Sequence, residues 1–158
     1  MTGNDGWSEL AALYREQARS LVRLAALLVD DVGTAEEIVQ DAFVLVHRRW
    51  EHVAKPAQYL RKSVVNLARS RLRRRLVARR HPPLHEPDVP AADELTADQH
   101  EVIEALRALP GRQREVLVLR YWSRLTEAEI AETLGISSGS VKSHAHRGLA
   151  ALEQRLEP

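Results

Sequence analysis

The sequence predicts an all-α protein made of two small helical domains joined by a flexible acidic, proline-rich linker, and three observations carry that expectation. Apolar residues recur at steps of three, four and seven on both sides of the chain's middle, the spacing that lines one face of a helix. No alternating run is long enough for a strand, and no internal repeat is present. Between residues 81 and 95, Pro82, Pro83, Pro87 and Pro90 stand among acids with no Lys or Arg, a composition that neither holds a helix nor buries a core.

The first helix is expected from Trp7 to Val29, with Leu10, Leu13, Tyr14, Leu21, Leu24, Ala25 and Leu28 on one stripe. Asp30-Asp31-Val32-Gly33 ends it. Thr34 followed by Glu37 reads as a capping box for a second helix whose stripe is Ile38, Val39, Ala42, Phe43, Val46 and Trp50. A third helix follows Pro56, from about Ala57 to Arg80, with Leu60, Val64, Leu67, Ala68 and Leu72 as its apolar side. The linker at 81–95, fully extended, reaches on the order of 45–50 Å, enough to set two domains on separate surfaces of a large partner. Beyond it, Thr96 and Gln99 form another capping-box pattern, and Val102, Ile103, Leu106 and Leu109 mark a helix that stops at Pro110-Gly111. A further helix runs from about Arg112 to Trp122, in which Val116 to Leu119 suits a strand equally well.

The stretch Thr126 to Gly148 has the layout of a helix-turn-helix. Thr126 and Glu129 cap its first helix, Ile130 and Leu134 face inward, Ala131 permits close crossing, and Gly135 permits a left-handed turn. Ser137 caps the second helix, whose Val141, Ala145, Gly148, Leu149 and Leu152 pack back on the first. That leaves Ser138, Ser140, Lys142, Ser143, His144 and His146 toward a major groove, with Arg147 at the edge for a phosphate.

Charge is segregated although the formal sum is only +1. Residues 56–80 carry 9 basic and no acidic side chains, and residues 81–104 carry 7 acidic and no Lys or Arg. A packed helix bearing Arg61, Lys62, Arg69, Arg71, Arg73, Arg74, Arg75, Arg79 and Arg80 calls for a polyanion, with Asn66 and Ser70 able to bond bases or backbone. The loop Trp50 to Pro56 just before it offers a place for an unstacked base, although Trp50 itself reads better as core. Glu36, Glu37, Gln40 and Asp41 lie early on the second helix, where they either complement its dipole or dock on a basic protein.

Enzyme chemistry finds no support: there is no Gly-rich phosphate loop, no nucleophile beside a base and no metal cluster. His144 and His146 are two apart on a helix and point roughly 200° from one another, so they do not share an ion, and His100 to Glu104 lacks the second histidine of a zincin. No cofactor is expected. The absence of cysteine fits a reducing cytoplasm, and no apolar run is long enough for a membrane span, so no membrane contact of its own is expected.

Four motifs carry a resemblance that covers nearly the whole chain: Ala35-Glu-Glu-Ile-Val-Gln-Asp-Ala-Phe43, Tyr59 to Arg69, Leu109-Pro-Gly-Arg-Gln-Arg-Glu-Val-Leu117, and Thr126 to Ser137 with Gly139 to His144. In these the chain resembles the bacterial RNA polymerase sigma factors of the extracytoplasmic-function (ECF) group of the sigma-70 family, and particularly its sigma-E type. The resemblance implies a region 2 domain at 7–80, a linker at 81–95 and a region 4 domain at 96–156. It implies that the helix face of Glu36, Glu37, Gln40 and Asp41 binds the clamp helices of the polymerase beta-prime subunit, and that the polymerase beta flap is a further contact. The loop before Pro56 and Arg61, Lys62, Asn66, Arg69 and Arg73 would then open and read the −10 element, while Lys142, Ser143, His144 and Arg147 read or clamp the −35 element. An anti-sigma factor is implied as a further partner. Ser140 and His144 stand where the family commonly has threonine and arginine, so the promoter sequence does not follow. The rival readings are a conventional helix-turn-helix regulator, which binds duplex DNA alone, and a polymerase-interaction or anti-sigma-interaction protein that does not initiate.

Overall fold

The computed structural model describes residues 3–78 and 96–157. The chain divides into two compact units, residues 1–88 and 89–158, and the described parts of both are helical. The expected linker at 81–95, together with Arg79 and Arg80, lies outside the described residues.

In the first unit, α1 (Gly3–Val29), α2 (Val32–Arg48) and α3 (Pro56–Ala78) pack against one another pairwise. Their shared core is Leu21, Leu24, Ala25, Leu28 and Val29 of α1, Ile38, Val39, Ala42, Phe43 and Val46 of α2, and Leu60, Val64, Val65 and Ala68 of α3. Each large apolar side chain buried there contributes roughly 1.5–3 kcal/mol relative to exposure. α1 begins before Trp7, at Gly3, with Asp5 in its first turn, where a carboxylate meets the positive end of the helix dipole. It ends where Asp30 takes the left-handed conformation (φ 68°), which Asp tolerates better than most residues.

The capping box expected at Thr34 and Glu37 is not formed. Asp31 is the N-cap of α2, in extended conformation, and its carboxylate accepts from the N–H groups of Gly33 (3.2 Å) and Thr34 (3.1 Å). The helix therefore starts at Val32, and Thr34 sits inside its first turn with its hydroxyl donating to Asp31. An ionised carboxylate two and three residues before those N–H groups outcompetes a hydroxyl placed one turn later.

In the second unit, α4 (Ala97–Arg107), α5 (Gly111–Tyr121), α6 (Glu127–Leu134) and α7 (Ser138–Leu156) surround a core of Leu109, Val116, Leu117, Val118, Leu119, Ile130, Leu134, Val141 and Ala145. The ambiguous run Val116 to Leu119 is helical, and all four residues are buried because α5 packs on both α6 and α7. A helix covered on several sides loses the 3.6-residue alternation that would otherwise identify it. The capping boxes at Thr96/Gln99 and Thr126/Glu129 are both complete. α4 is less buried than its stripe suggests: Val102 is exposed, whereas Ala105 and Leu109 are buried. On α7, Leu149 and Leu152 are half-buried, and the tight contact is carried by Val141, Ala145 and Gly148.

Candidate functional site: two cation-bearing helices and an acidic face

The exposed surface of α3 is built by helical phase. Leu60, Val64 and Ala68 turn one side toward α1 and α2, so Lys62, Asn66, Arg69 and Arg73, spaced by four, three and four residues, share the opposite side. Lys62, Asn66 and Arg73 are exposed and Arg69 is half-exposed. Arg61 is one position off that stripe and half-buried at its margin. Four of the five residues expected to meet the −10 element thus share a face, with Arg61 beside it.

Not every cation of the helix faces outward. Arg71 and Arg75 fall on the packed side, where the apolar stripe would continue past Ala68. The two guanidinium nitrogens of Arg71 reach Glu37 (3.2 Å) and Asp41 (3.7 Å). Arg75 donates to the carbonyl of Val29 (2.6 Å) and to Thr34 Oγ1 (3.1 Å), and pairs with Asp31 at 3.5 Å. It therefore satisfies a terminal carbonyl of α1 while holding the cap of α2. Partial burial pushes the Asp31 carboxyl up. The hydrogen bonds from Thr34 Oγ1 and from the N–H groups of Thr34 and Gly33, with the Arg75 charge, outweigh it and hold the group below the usual carboxylate value. The sequence signal for these two arginines was available, since Arg71 and Arg75 continue the register of Val64 and Ala68.

At the foot of α3 a cavity of about 980 Å³ opens, lined by Gly6, Trp7 and Glu9 of α1, His47 and Arg48 of α2, and Trp50 to Pro56 apart from Lys55. Trp50 opens a 3-10 turn (Trp50–His52) and is half-buried on the cavity wall, not in the core as expected. The core of α2 closes at Val46, one turn earlier. Trp7, 60% exposed, packs against His47 with ring centroids 4.3 Å apart and the ring planes tilted by 36°. Trp7 carried no role in the sequence reading, because an aromatic near a helix start looks like core until its exposure is known.

On α2, Glu36, Glu37, Gln40 and Asp41 are all exposed. Glu37, Gln40 and Asp41 share a face at spacings of three and four, with Glu36 one position beside it.

In the helix-turn-helix, Gly135 adopts φ 65° and turns the chain from α6 into α7, a conformation that glycine takes without steric cost. Ser137 caps α7 by accepting from the Ser140 N–H at 3.1 Å. Opposite the buried Val141, Ala145 and Gly148 stand Ser143 and His146, with Lys142 on one flank and Ser140 and Arg147 on the other. Ser138 is exposed in the first turn, while His144 is half-buried at the margin. Four of these side chains make local contacts, His144 through its Nδ1, 3.5 Å from an Arg147 guanidinium nitrogen. Ser140 Oγ lies 3.0 Å from Ser137 Oγ, Lys142 Nζ lies 3.8 Å from Glu127, and Arg147 donates to the Ser143 carbonyl at 3.3 Å. Among the described residues no group of three or more His, Cys, Asp or Glu is placed to hold a metal, and no helix is long and apolar enough to cross a membrane.

Two helical units, each presenting a cation-bearing helix, one of them in a helix-turn-helix, have the layout of a nucleic-acid-binding protein. Comparison with known proteins makes this specific. The Sigma-70 region 2 family matches residues 13–76, and the Sigma-70, region 4 family matches residues 99–152. An RNA polymerase sigma-E factor of Streptomyces avermitilis is 34% identical over 154 residues, covering 94% of this chain and 86% of that protein. The ECF RNA polymerase sigma factor SigL of Mycobacterium tuberculosis is 31% identical over 161 residues, covering 94% and 89%. Among solved structures, the sigma factor RpoE in complex with the anti-sigma factor NepR from Bartonella quintana gives a TM-score of 0.75 at 22% identity, over 96% of each chain. CnrH in complex with the cytosolic domain of CnrY gives 0.74 at 22% identity, over 98% of this chain and 90% of that one; at these identities the likeness concerns the fold. The chain belongs to the sigma-70 family of RNA polymerase sigma factors, in its extracytoplasmic-function group. It is an alternative-type sigma factor that binds core RNA polymerase and directs transcription from particular promoters. Sigma factors are in general non-enzymatic, and the region 2 match argues against a conventional helix-turn-helix regulator.

Proposed function

We propose that residues 7–80 act as region 2 and residues 96–156 as region 4, joined by 81–95, and that each DNA element is read by one cation-bearing helix. The observation that carries the reading is the shared face of Lys62, Asn66, Arg69 and Arg73 on a helix whose first residue, Pro56, lines a cavity together with Trp50 and the loop between them. Cations along a backbone track beside an aromatic-lined hollow suit a strand whose bases have left the stack. In this reading Arg61, Lys62, Asn66, Arg69 and Arg73 hold the unpaired −10 strand, and Trp50 or its loop receives an extruded base.

On α7, Ser143 and His146 enter the major groove with Ser138 and Ser140 near its N-terminal end. Lys142, Arg147 and His144 flank them, for phosphate or outer bases. Glu36, Glu37, Gln40 and Asp41 dock on the beta-prime clamp helices, and region 4 meets the beta flap. The protein works in the cytoplasm, contributes no bond-making chemistry, and leaves catalysis to the polymerase. Because RpoE and CnrH were solved with partner proteins, one of them an anti-sigma factor, we include an anti-sigma factor among the partners.

The test is transcription by purified core polymerase on fragmented genomic DNA, with and without this protein, mapping RNA start sites. New starts sharing two spaced upstream motifs are expected. Core binding without new starts would replace the reading by that of a non-initiating interaction protein.

A further inference from the structure

The acidic face of α2 has an internal difficulty. Glu37 and Asp41 are one turn apart on one helix face, and like charges at that spacing repel. Arg71 resolves it from α3. One terminal nitrogen meets Glu37 Oε2 at 3.2 Å and the other lies 3.7 Å from Asp41 Oδ2. Each carboxylate thereby engages one oxygen with Arg71, and the structure gives the second oxygen no bond to that guanidinium. Arg71 is itself only 30% exposed, against 63% for Glu37 and 58% for Asp41. The cation is thus set back in the packed side of α3 while the carboxylates stand forward. A guanidinium can give each carboxylate its own nitrogen in a fixed plane, whereas an ammonium of similar reach must serve both from one nitrogen.

We infer that Arg71 is a positioning residue for polymerase docking: it holds Glu37 and Asp41 side by side so that their outward oxygens meet a basic protein surface together. The inference rests on the proposed docking role of α2. It gives Arg71 a task distinct from the other cations of α3, since its place on the packed side takes it away from the face of Lys62, Asn66 and Arg73. Pre-ordering two side chains spares their immobilisation at the moment of binding.

The experiment measures the affinity of the labelled full-length chain for core RNA polymerase. The variants are Arg71→Ala, Arg71→Lys, the double Glu37→Gln/Asp41→Asn, and the triple that adds Arg71→Ala to that double, with helix content and melting checked for each. Arg71→Ala is expected to weaken binding roughly two- to fivefold, the worth of an exposed ion-pair network, with Arg71→Lys recovering part of the loss. In the Glu37→Gln/Asp41→Asn background the same change is expected to cost nothing, because the groups it positions are gone. Should the loss persist undiminished in the triple variant, Arg71 supports the fold and the inference fails. It fails equally if Arg71→Ala binds as tightly as the parent while Glu37→Gln/Asp41→Asn binds more weakly, and there the docking role of α2 survives. Full binding by Glu37→Gln/Asp41→Asn would remove that role and the inference with it.

Discussion

At Gly148 α7 lies tight against α5, and replacing it by alanine sets two effects of known size against each other. A Cβ at this position would lie 2.9 Å from Leu117 Cδ1, 3.2 Å from Leu117 Cγ and 3.4 Å from Gln113 Cβ, whereas carbon atoms prefer about 3.5–4.0 Å. Alanine gains about 1 kcal/mol over glycine from helix propensity. Against it stands an overpacked contact, which costs typically about 1–3 kcal/mol. Leu117 is only 2% exposed and is enclosed by the second unit's core, so it has little room to turn aside. The balance is a net loss of about 1 kcal/mol, near the middle of those ranges. Because the chain has two units, a global melt would blend their transitions. Hydrogen exchange of the intact protein reads the α5 and α7 amides directly, and the expected change is roughly fivefold faster exchange there with none in α1–α3. Shortening the neighbour with Leu117→Val should lower the cost of Gly148→Ala, a coupling that two independent sites would not show. Unchanged or slower exchange in Gly148→Ala would mean that Leu117 yields freely, and the reasoning from close approach would be wrong.

Three further outcomes follow from the site. Arg69→Glu combined with Arg73→Glu is expected to abolish promoter opening while core binding persists; permanganate footprinting that still finds an open −10 region would overturn the assignment of α3. Lys142→Ala is expected to weaken binding to the upstream duplex and to lower the salt slope of that binding by about one, read from a titration series across salt concentrations. A parallel slope would place Lys142 away from DNA, paired only with Glu127. Asp31 has a depressed carboxyl pKa in the folded chain, so its contribution is complete above its unfolded value of about 3.9 and is lost as pH falls through the lower folded value. Asp31→Asn should therefore cost stability near neutrality and flatten the pH dependence of first-unit stability in the acid range, read from hydrogen exchange of the α1–α3 amides; identical acid limbs for parent and variant would count against it.

Much of this architecture was legible because amphipathic periodicity survives in most helices and the caps obey local chemistry. Thr96, Thr126, Ser137 and Gly135 each act where their side-chain hydrogen bonding or freedom at positive φ requires. What escaped is non-local. Thr34 and Asp31 both have credible capping chemistry, and Arg75, 44 residues from Asp31 in sequence, adds its charge to the pair on the Asp31 side. A count of cations over residues 56–80 treats nine as equivalent, but burial separates Arg71 and Arg75 from Lys62 and Arg73. Trp50 continues the α2 stripe in sequence and leaves the core in space because the helix ends at Arg48. The orientation of α7 follows from a helix-turn-helix of some twenty residues, whereas that of α3 depends on its packing against α1 and α2.

The joint made by Arg75, Val29, Asp31 and Thr34 bears on how such proteins can be recombined. A chimera that imports α3 from a relative, to move the DNA contacts proposed for it, brings a foreign last turn to the bend between α1 and α2. If the incoming helix lacks an arginine at the position of Arg75, Asp31 keeps its burial but loses its cation, and the α1 carbonyl loses its donor. The graft would then loosen the start of α2, and with it the face proposed to meet polymerase, while being meant to alter only DNA choice. Exchanging residues 29–34 together with the helix keeps the set whole, so specificity can be moved between chains without carrying a defect in assembly.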